Sequence, residues 1–468
     1  MADEQAELAE REALLARLTR PIDRREFMRL TAMGAGSAAI TAFLAACGVT
    51  TSPSGSAAAS GSAAASVNLG RAIKLGYVSP KTGPLAPFAE SDDYVFGGVR
   101  DAFGSGLVNA GTTHPIEILA RDSQSNPTTA SEVASELILD QEIDLMLVAS
   151  TPETTNPVAD ICEANGVPCI STVAPWQPYV FGRQPNVPPP EAVPFEWTYH
   201  FFWGLEDIIA VFLNMWEQVS TNKKIGAIWP NDGDGQAWGS PEVGFPPAFA
   251  AAGYTLNDPG RYENLTPSFS TQVAAFKLDG VEIVTGVPIP PDFTNFWKEA
   301  AQQNFRPKIA SVGKALLFPS SVEALGDIGE GLSSEYWWGP THPFNSSLTG
   351  QSAQALADGY TAAENKQLTQ PIGFAHALFE LAADVISRTS SVDDPAAIRD
   401  AIKATSLDTI VGHIEWTGDP FPNVAKTPLV GGQWVPGTGD FPYDLVVVSN
   451  EDHPDIPATA TLQPIPGS

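Results

Sequence analysis

IDLMLVASTPETTNPVADICEANGVPCIST, residues 143–172, is the stretch whose reading decides the fold. Residues 143–150 form an almost unbroken apolar run, too short for a helix and without the alternation of a strand that has one wet face. A strand covered on both faces reads this way. Residues 154–166 then read as a helix that ends at Gly166, a residue suited to a left-handed cap. VPCIST, 167–172, is a second covered strand. Strand, helix and strand in this order make the unit of a parallel sheet wrapped by helices.

The same alternation extends in both directions. On the N-terminal side, AIKLGYV (72–78) and EILA (117–120) read as strands, and TTASEVASELILDQ (128–141) reads as a helix. After residue 200 the pattern restarts. LEDIIAVFLNMWEQV (205–219) places Ile208, Val211, Phe212, Met215 and Val219 on one helical face. KIGAIW (224–229), VEIVTG (281–286) and KIASVG (308–313) are strands, with STQVAAFKLDG (270–280) and DFTNFWKEAAQQN (292–304) as helices between them. The C-terminal part adds helices at 371–388 and 395–405, the first with a stripe of Phe374, Leu378, Leu381 and Val385, and strands VGHIEW (411–416) and YDLVVVS (443–449). Two α/β units therefore follow one another, with the proline-rich segment 182–195 near their join.

The chain has 468 residues and a formal net charge of −29. Residues 1–46 carry six Lys/Arg against seven Asp/Glu, so all but one of those charges lies beyond them. Phosphate backbones repel so acidic a body, and nucleic acid is excluded as an expected partner. In front of the body stands RREFMRLTAMGAGSAAITAFLAACG, residues 24–48. The charge-free run 30–46 is shorter than the ~20 residues a span needs and contains several small polar residues. Arg24-Arg25 with Phe27 resembles a twin-arginine export signal. Leu44-Ala45-Ala46-Cys47 resembles the lipobox of bacterial lipoproteins, which implies cleavage before Cys47 and lipid on that cysteine. Residues 1–46 are thus expected to be a signal peptide. Residues 47–70 are expected to be a tether, because the Ser/Ala/Gly run 49–66 has too little apolar surface to order itself. Cys162 and Cys169 are open to two readings, a short-loop disulfide or two buried thiols.

Taken in order, IKLGYVSPKTGPLAPFAE, residues 143–172, KIGAIWPNDGDGQAWG, DFTNFWKEAAQQN and DPAAIRDAIKATSLDTIVGHIEW resemble the branched-chain amino-acid type of solute-binding protein from ATP-driven importers, over roughly residues 72–434. The resemblance implies an α/β fold: two doubly wound parallel-sheet lobes joined by a three-strand hinge, with the ligand in the cleft between them. The lobes are expected at 71–200 plus 312–408 and at 201–311 plus 409–468. It further implies a monomer outside the cytoplasm that is anchored to the membrane through lipidated Cys47. Its partners would be a small-molecule ligand and an ABC permease with its ATPase.

Open parallel sheets bind ligands beyond the carboxyl ends of their strands. That rule nominates Ser79 and Thr82 after the first strand. It adds Ser150, Thr151 and Thr154, then Thr172 and Trp176, and in the second lobe Asn231, Asp232, Asp234 and Asp292. Hydroxyls and helix N-terminal amides in such loops can hold a carboxylate. The resemblance adds Phe88 as the first-loop aromatic and Asp292 as the ammonium-binding acid, and places Asp234 where relatives have a tyrosine. It puts the relatives' two carboxylate-binding hydroxyls at Pro152 and Pro175, which have none; either Ser150, Thr151, Thr154 and Thr172 close by substitute after a register shift, or the expected ligand departs from an ordinary branched-chain amino acid. Trp176, Trp229, Trp337 and Trp338 suit a larger, flat or apolar one. Each has a plainer reading: Asp292 as a helix cap, Asp232 and Asp234 as turn formers, and Trp337 or Trp338 as core.

No GxSxG elbow, HExxH pair or P-loop occurs, and NDGDG lacks the spacing of a calcium loop. An enzyme, a cofactor and a metal are therefore not expected. The leading expectation is a transport protein that captures a small organic solute, an amino acid, amide, or aromatic or carboxylate compound, by lobe closure. A sensing receptor of the same fold and an extracytoplasmic hydrolase are the alternatives.

Overall fold

A computed structural model describes residues 68–188 and 191–468. The export signal, Cys47 and the tether up to residue 67 lie outside the described residues. Among the described residues, no helix is long and apolar enough to cross a membrane.

The first lobe is built on a six-stranded sheet, all parallel, in the order Val424–Ala425, Thr198–Phe201, Cys169–Thr172, Leu145–Val148, Ile73–Ser79, Ile116–Asp122. Every residue of Leu145–Val148 is buried, which is why that segment shows no alternation. The helix Thr151–Asn165 follows it and closes on Gly166, whose φ of 67° is the left-handed conformation a side chain resists. The second lobe holds a seven-stranded sheet in the order Tyr443–Ser449, Val430–Pro436, Ser333–Tyr336, Ile309–Val312, Ile283–Gly286, Lys224–Ile228, Thr255–Asn257. The two strands at one edge, Val430–Pro436 and Tyr443–Ser449, are antiparallel, a departure from a wholly parallel lobe.

The helix Leu205–Trp216 buries Ile208, Val211, Phe212 and Met215 against the second sheet, as its periodicity implies. The helix Pro371–Arg388 differs from its reading. It is buried nearly all round, not along one stripe, between the first sheet and the helix Asp92–Phe103. Its two polar core residues are satisfied: Ser346 Oγ and His376 Nε2 lie 2.7 Å apart, and Glu380 accepts from the Ser347 hydroxyl and the Ile410 amide. Cys162 and Cys169 are buried free thiols.

The chain passes between the lobes three times: at 202–204, after Tyr336, and at 426–429. Two expected boundaries move. The strands Ile309–Val312 and Ser333–Tyr336 belong to the second sheet, so the return to the first lobe comes after Tyr336 and not at 312. VGHIEW forms Gly412–Glu415, half of a two-stranded hairpin against the first-lobe helix Pro371–Arg388. Val424–Ala425 then completes the first sheet, so the second lobe resumes near 428 and not at 409. Local apolar patterning identifies a strand but not the sheet it joins, because pairing is a long-range choice.

Candidate functional site

The carboxyl ends of the strands in both lobes converge on one small cavity, with about 310 Å³ of empty space when the part open to solvent is included. The first lobe supplies Phe88 from the loop after Ile73–Ser79, Thr151 from the start of the helix after Leu145–Val148, and Val173 and Pro175 from the turn after Cys169–Thr172. The second lobe supplies Asp234 and Trp238 after Lys224–Ile228, Val287 after Ile283–Gly286, and Lys314 and Leu317 after Ile309–Val312. The chain passages between lobes contribute Phe202, Trp203 and Trp337, and Glu335 projects from the strand Ser333–Tyr336.

Five aromatic rings line this space. Phe202 and Trp337 pack edge to face at 5.1 Å, and Phe88 meets Phe318 across the lobes at 4.8 Å. Gly313 lets Trp238 approach the backbone, since a Cβ there would lie 2.5 Å from the ring. The indole N–H groups of Trp203, Trp238 and Trp337, the Thr151 hydroxyl and Asp234 Oδ1 are all buried without a hydrogen-bond partner in the protein. Native interiors leave few polar atoms in that condition, and five of those in this protein belong to residues lining this one cavity, where a solute or water would complete their bonding.

The charged groups cluster around Lys314. Lys314 Nζ lies 2.7 Å from Asp234 Oδ2, 3.5 Å from Asp232 Oδ2 and 3.6 Å from Glu153 Oε2. Glu153 is on the first lobe and the two aspartates on the second, so the ammonium bridges the cleft. Burial opposes its charge, but Asp232, Asp234 and Glu153 together outweigh burial and hold Lys314 well above the usual lysine range. Burial pushes Asp234 up to about 7 despite Lys314 beside it. Glu335, which accepts from the Lys314 amide and the Ser334 hydroxyl, is likewise raised by burial to about 7.

The backbone is strained at the same place. Thr151, Val173 and Lys314 have φ of 63°, 60° and 61°, and all three line the cavity. For the β-branched Val173 and Thr151 this is an unusual conformation, of the kind that costs ~1–3 kcal/mol and persists where surrounding structure imposes it. The Thr151 amide donates to the Val173 carbonyl at 2.7 Å, so the two strained turns hold each other.

Of the residues nominated from sequence, Phe88, Thr151, Asp234 and Trp337 reach the cavity wall. Asp232 stands behind it. It caps the helix Gly233–Trp238 through the Gly235 amide at 2.8 Å and also faces Lys314. Most of the others are engaged elsewhere. The Ser79 hydroxyl donates to buried Asp92 at 2.6 Å, and the Thr82 hydroxyl donates to Asp122 on the surface. Ser150 precedes the helix Thr151–Asn165 and is buried without a partner. Thr154 bonds Ser123, and Thr172 donates to the Phe201 carbonyl. Trp176 donates to Glu206 and packs on Phe181, outside the cavity lining. Asn231 is exposed and bonded to Glu263. Trp229 is buried in the aromatic cluster with Trp238, and Trp338 is core, bonded to the Ile410 carbonyl. Asp292 accepts the Leu265 amide with both oxygens at 3.0 Å, and burial raises it to about 6. It secures a loop instead of facing the cavity.

Sequence reasoning passed over Lys314, Glu335, Trp203 and Trp238 as site residues. Lys314 had a legible signal, since it directly follows Gly313 at a strand's carboxyl end, where the other nominated loops lie. Glu335 and Trp203 gave none, because strand and crossover residues look like core until the two lobes meet.

A family model described as periplasmic binding protein matches residues 72–437. Solved structures with the same architecture include a leucine-binding protein from Thermotoga maritima, 16% identical with a TM-score of 0.64, covering 81% of this chain and 99% of that one. A solute-binding protein of an ABC transporter from Rhodopseudomonas palustris, in complex with 3,4-dihydroxybenzoic acid, is 15% identical with a TM-score of 0.63 and covers 81% and 96%. A type 1 periplasmic binding protein from Bordetella pertussis is 18% identical, with a TM-score of 0.64 and coverage of 81% and 100%. No curated protein sequence matches.

Proposed function

The chain belongs to the periplasmic binding protein family, and from that premise we propose that it is the extracytoplasmic substrate-binding lipoprotein of an ABC transporter. It captures a small organic solute between its lobes and delivers it to a membrane permease, held near the membrane by lipid on Cys47. The observation that carries this reading is the interlobe cavity, whose wall is contributed by both lobes and holds five unpartnered polar atoms. A solute bound there contacts both lobes at once, so its binding energy favours the closed arrangement by hinge bending.

The test is a thermal-shift screen of the purified chain against amino acids, amides, aromatic acids and amines. A ligand at a hundred times its Kd adds about 2.7 kcal/mol to the native state and raises Tm. Trp337→Ala is expected to abolish the shift while the variant still unfolds cooperatively. No shift with any solute, or an unchanged shift in Trp337→Ala, sinks the reading. For the anchor, Cys47→Ser is expected to move the chain from the membrane fraction to the soluble one. Retention at the membrane would refute lipid attachment.

A further inference from the structure

The charge and wall chemistry of the cavity carry a statement about what it takes, one that rests on the reading of the cleft as a solute site. Among the described residues, Lys314 is the only basic one lining it. Four carboxylates face or flank that lysine: Glu153, Asp232, Asp234 and Glu335. Carboxyl groups thus outnumber ammonium groups around it. Lys314 is not a free anion anchor, since carboxylates already approach its Nζ from both lobes. Asp234 Oδ1 and both oxygens of Glu153 are shielded from solvent and accept no hydrogen bond. The positive end of the helix Thr151–Asn165 also points here, but it amounts to about half a charge, and Glu153 in its first turn already offsets it. Among the described residues no group of His, Cys, Asp and Glu could hold a metal ion, so the surplus is not that of a metal site.

The walls agree with the charge. Rings of Phe88, Phe202, Trp203, Trp238 and Trp337 surround the space, and aromatic faces attract cations that are too alkylated to donate hydrogen bonds. We infer that the cleft selects a compact organic cation, an alkylated ammonium on a small body, over neutral and anionic solutes. The positive group lies among the rings beside Asp234. The Thr151 hydroxyl and those indole N–H groups whose rings do not face the cation have no partner in the protein and are the donors available to an oxygen on the same molecule.

The experiment compares charge at constant shape. The purified full chain is titrated with choline and with its neutral isostere 3,3-dimethylbutan-1-ol, alongside leucine and 3,4-dihydroxybenzoate, following tryptophan fluorescence and heat. The expected result is choline binding at least tenfold tighter than the isostere, with Asp234→Asn reducing that ratio to about one. Equal binding of choline and its isostere, or binding of leucine or the benzoate without choline, overturns the cation assignment and leaves solute capture standing. No binding by any of the four, together with a blank thermal-shift screen, overturns both.

Discussion

Lys314→Met is expected to lower stability by about 3–5 kcal/mol at pH 8, the cost of leaving buried carboxylates without their counter-charge. Methionine is similarly long and unbranched, so packing and the backbone penalty at φ 61° change little. What is lost is the ammonium 2.7 Å from Asp234 and bridging to Asp232 and Glu153. The sign with pH follows. Removing Lys314 pushes Asp234, already raised by burial, further up, the native state then binds a proton that the unfolded state does not, and the deficit shrinks as pH falls. Urea unfolding at pH 8 and pH 5 measures this. A loss of the same size at both values would mean that the variant is failing through packing and not through charge.

Glu335→Gln is expected to have the opposite effect. Burial lifts Glu335 from its ordinary 4.5 to about 7, so its ionised form costs about 3 kcal/mol of native stability above pH 7. An acid raised on folding destabilises at high pH. The cost is absent below 4.5, appears as pH climbs towards 7 and is complete above it. Glutamine keeps the shape and an acceptor for the Lys314 amide. The variant should therefore be about 1–3 kcal/mol more stable at pH 8 and indistinguishable at pH 4. Parallel stability curves for variant and parent across that range would refute the buried-charge account. A residue that costs stability while lining the cavity is consistent with a trade between stability and binding at this site.

Much of the fold was legible because it rests on local patterns. Leu145–Val148, Gly166 and the helix Leu205–Trp216 announce themselves through unbroken apolar runs, a left-handed cap and a 3.6-residue period. The neighbourhood of the site was legible for the same reason, since loops at the carboxyl ends of parallel strands are where such sheets leave room. The individual residues were harder. Trp176 stands in the expected loop but turns to Glu206, and Asp292 turns to the Leu265 amide. Both side chains found partners that a linear pattern does not reveal.

The amino-acid sequence by itself determined two α/β lobes, an acidic body behind an export-like segment, and the set of loops from which a cleft would be built. Tertiary structure alone decided which sheet takes the strands around 309–336 and 424–425. It also decided that the lysine after Gly313 meets Glu153 from the other lobe, and that unpaired indoles and a raised Glu335 share one small cavity. Hydrophobic periodicity is written in neighbouring residues, whereas desolvation and Coulomb energies depend on groups brought together from distant parts of the chain.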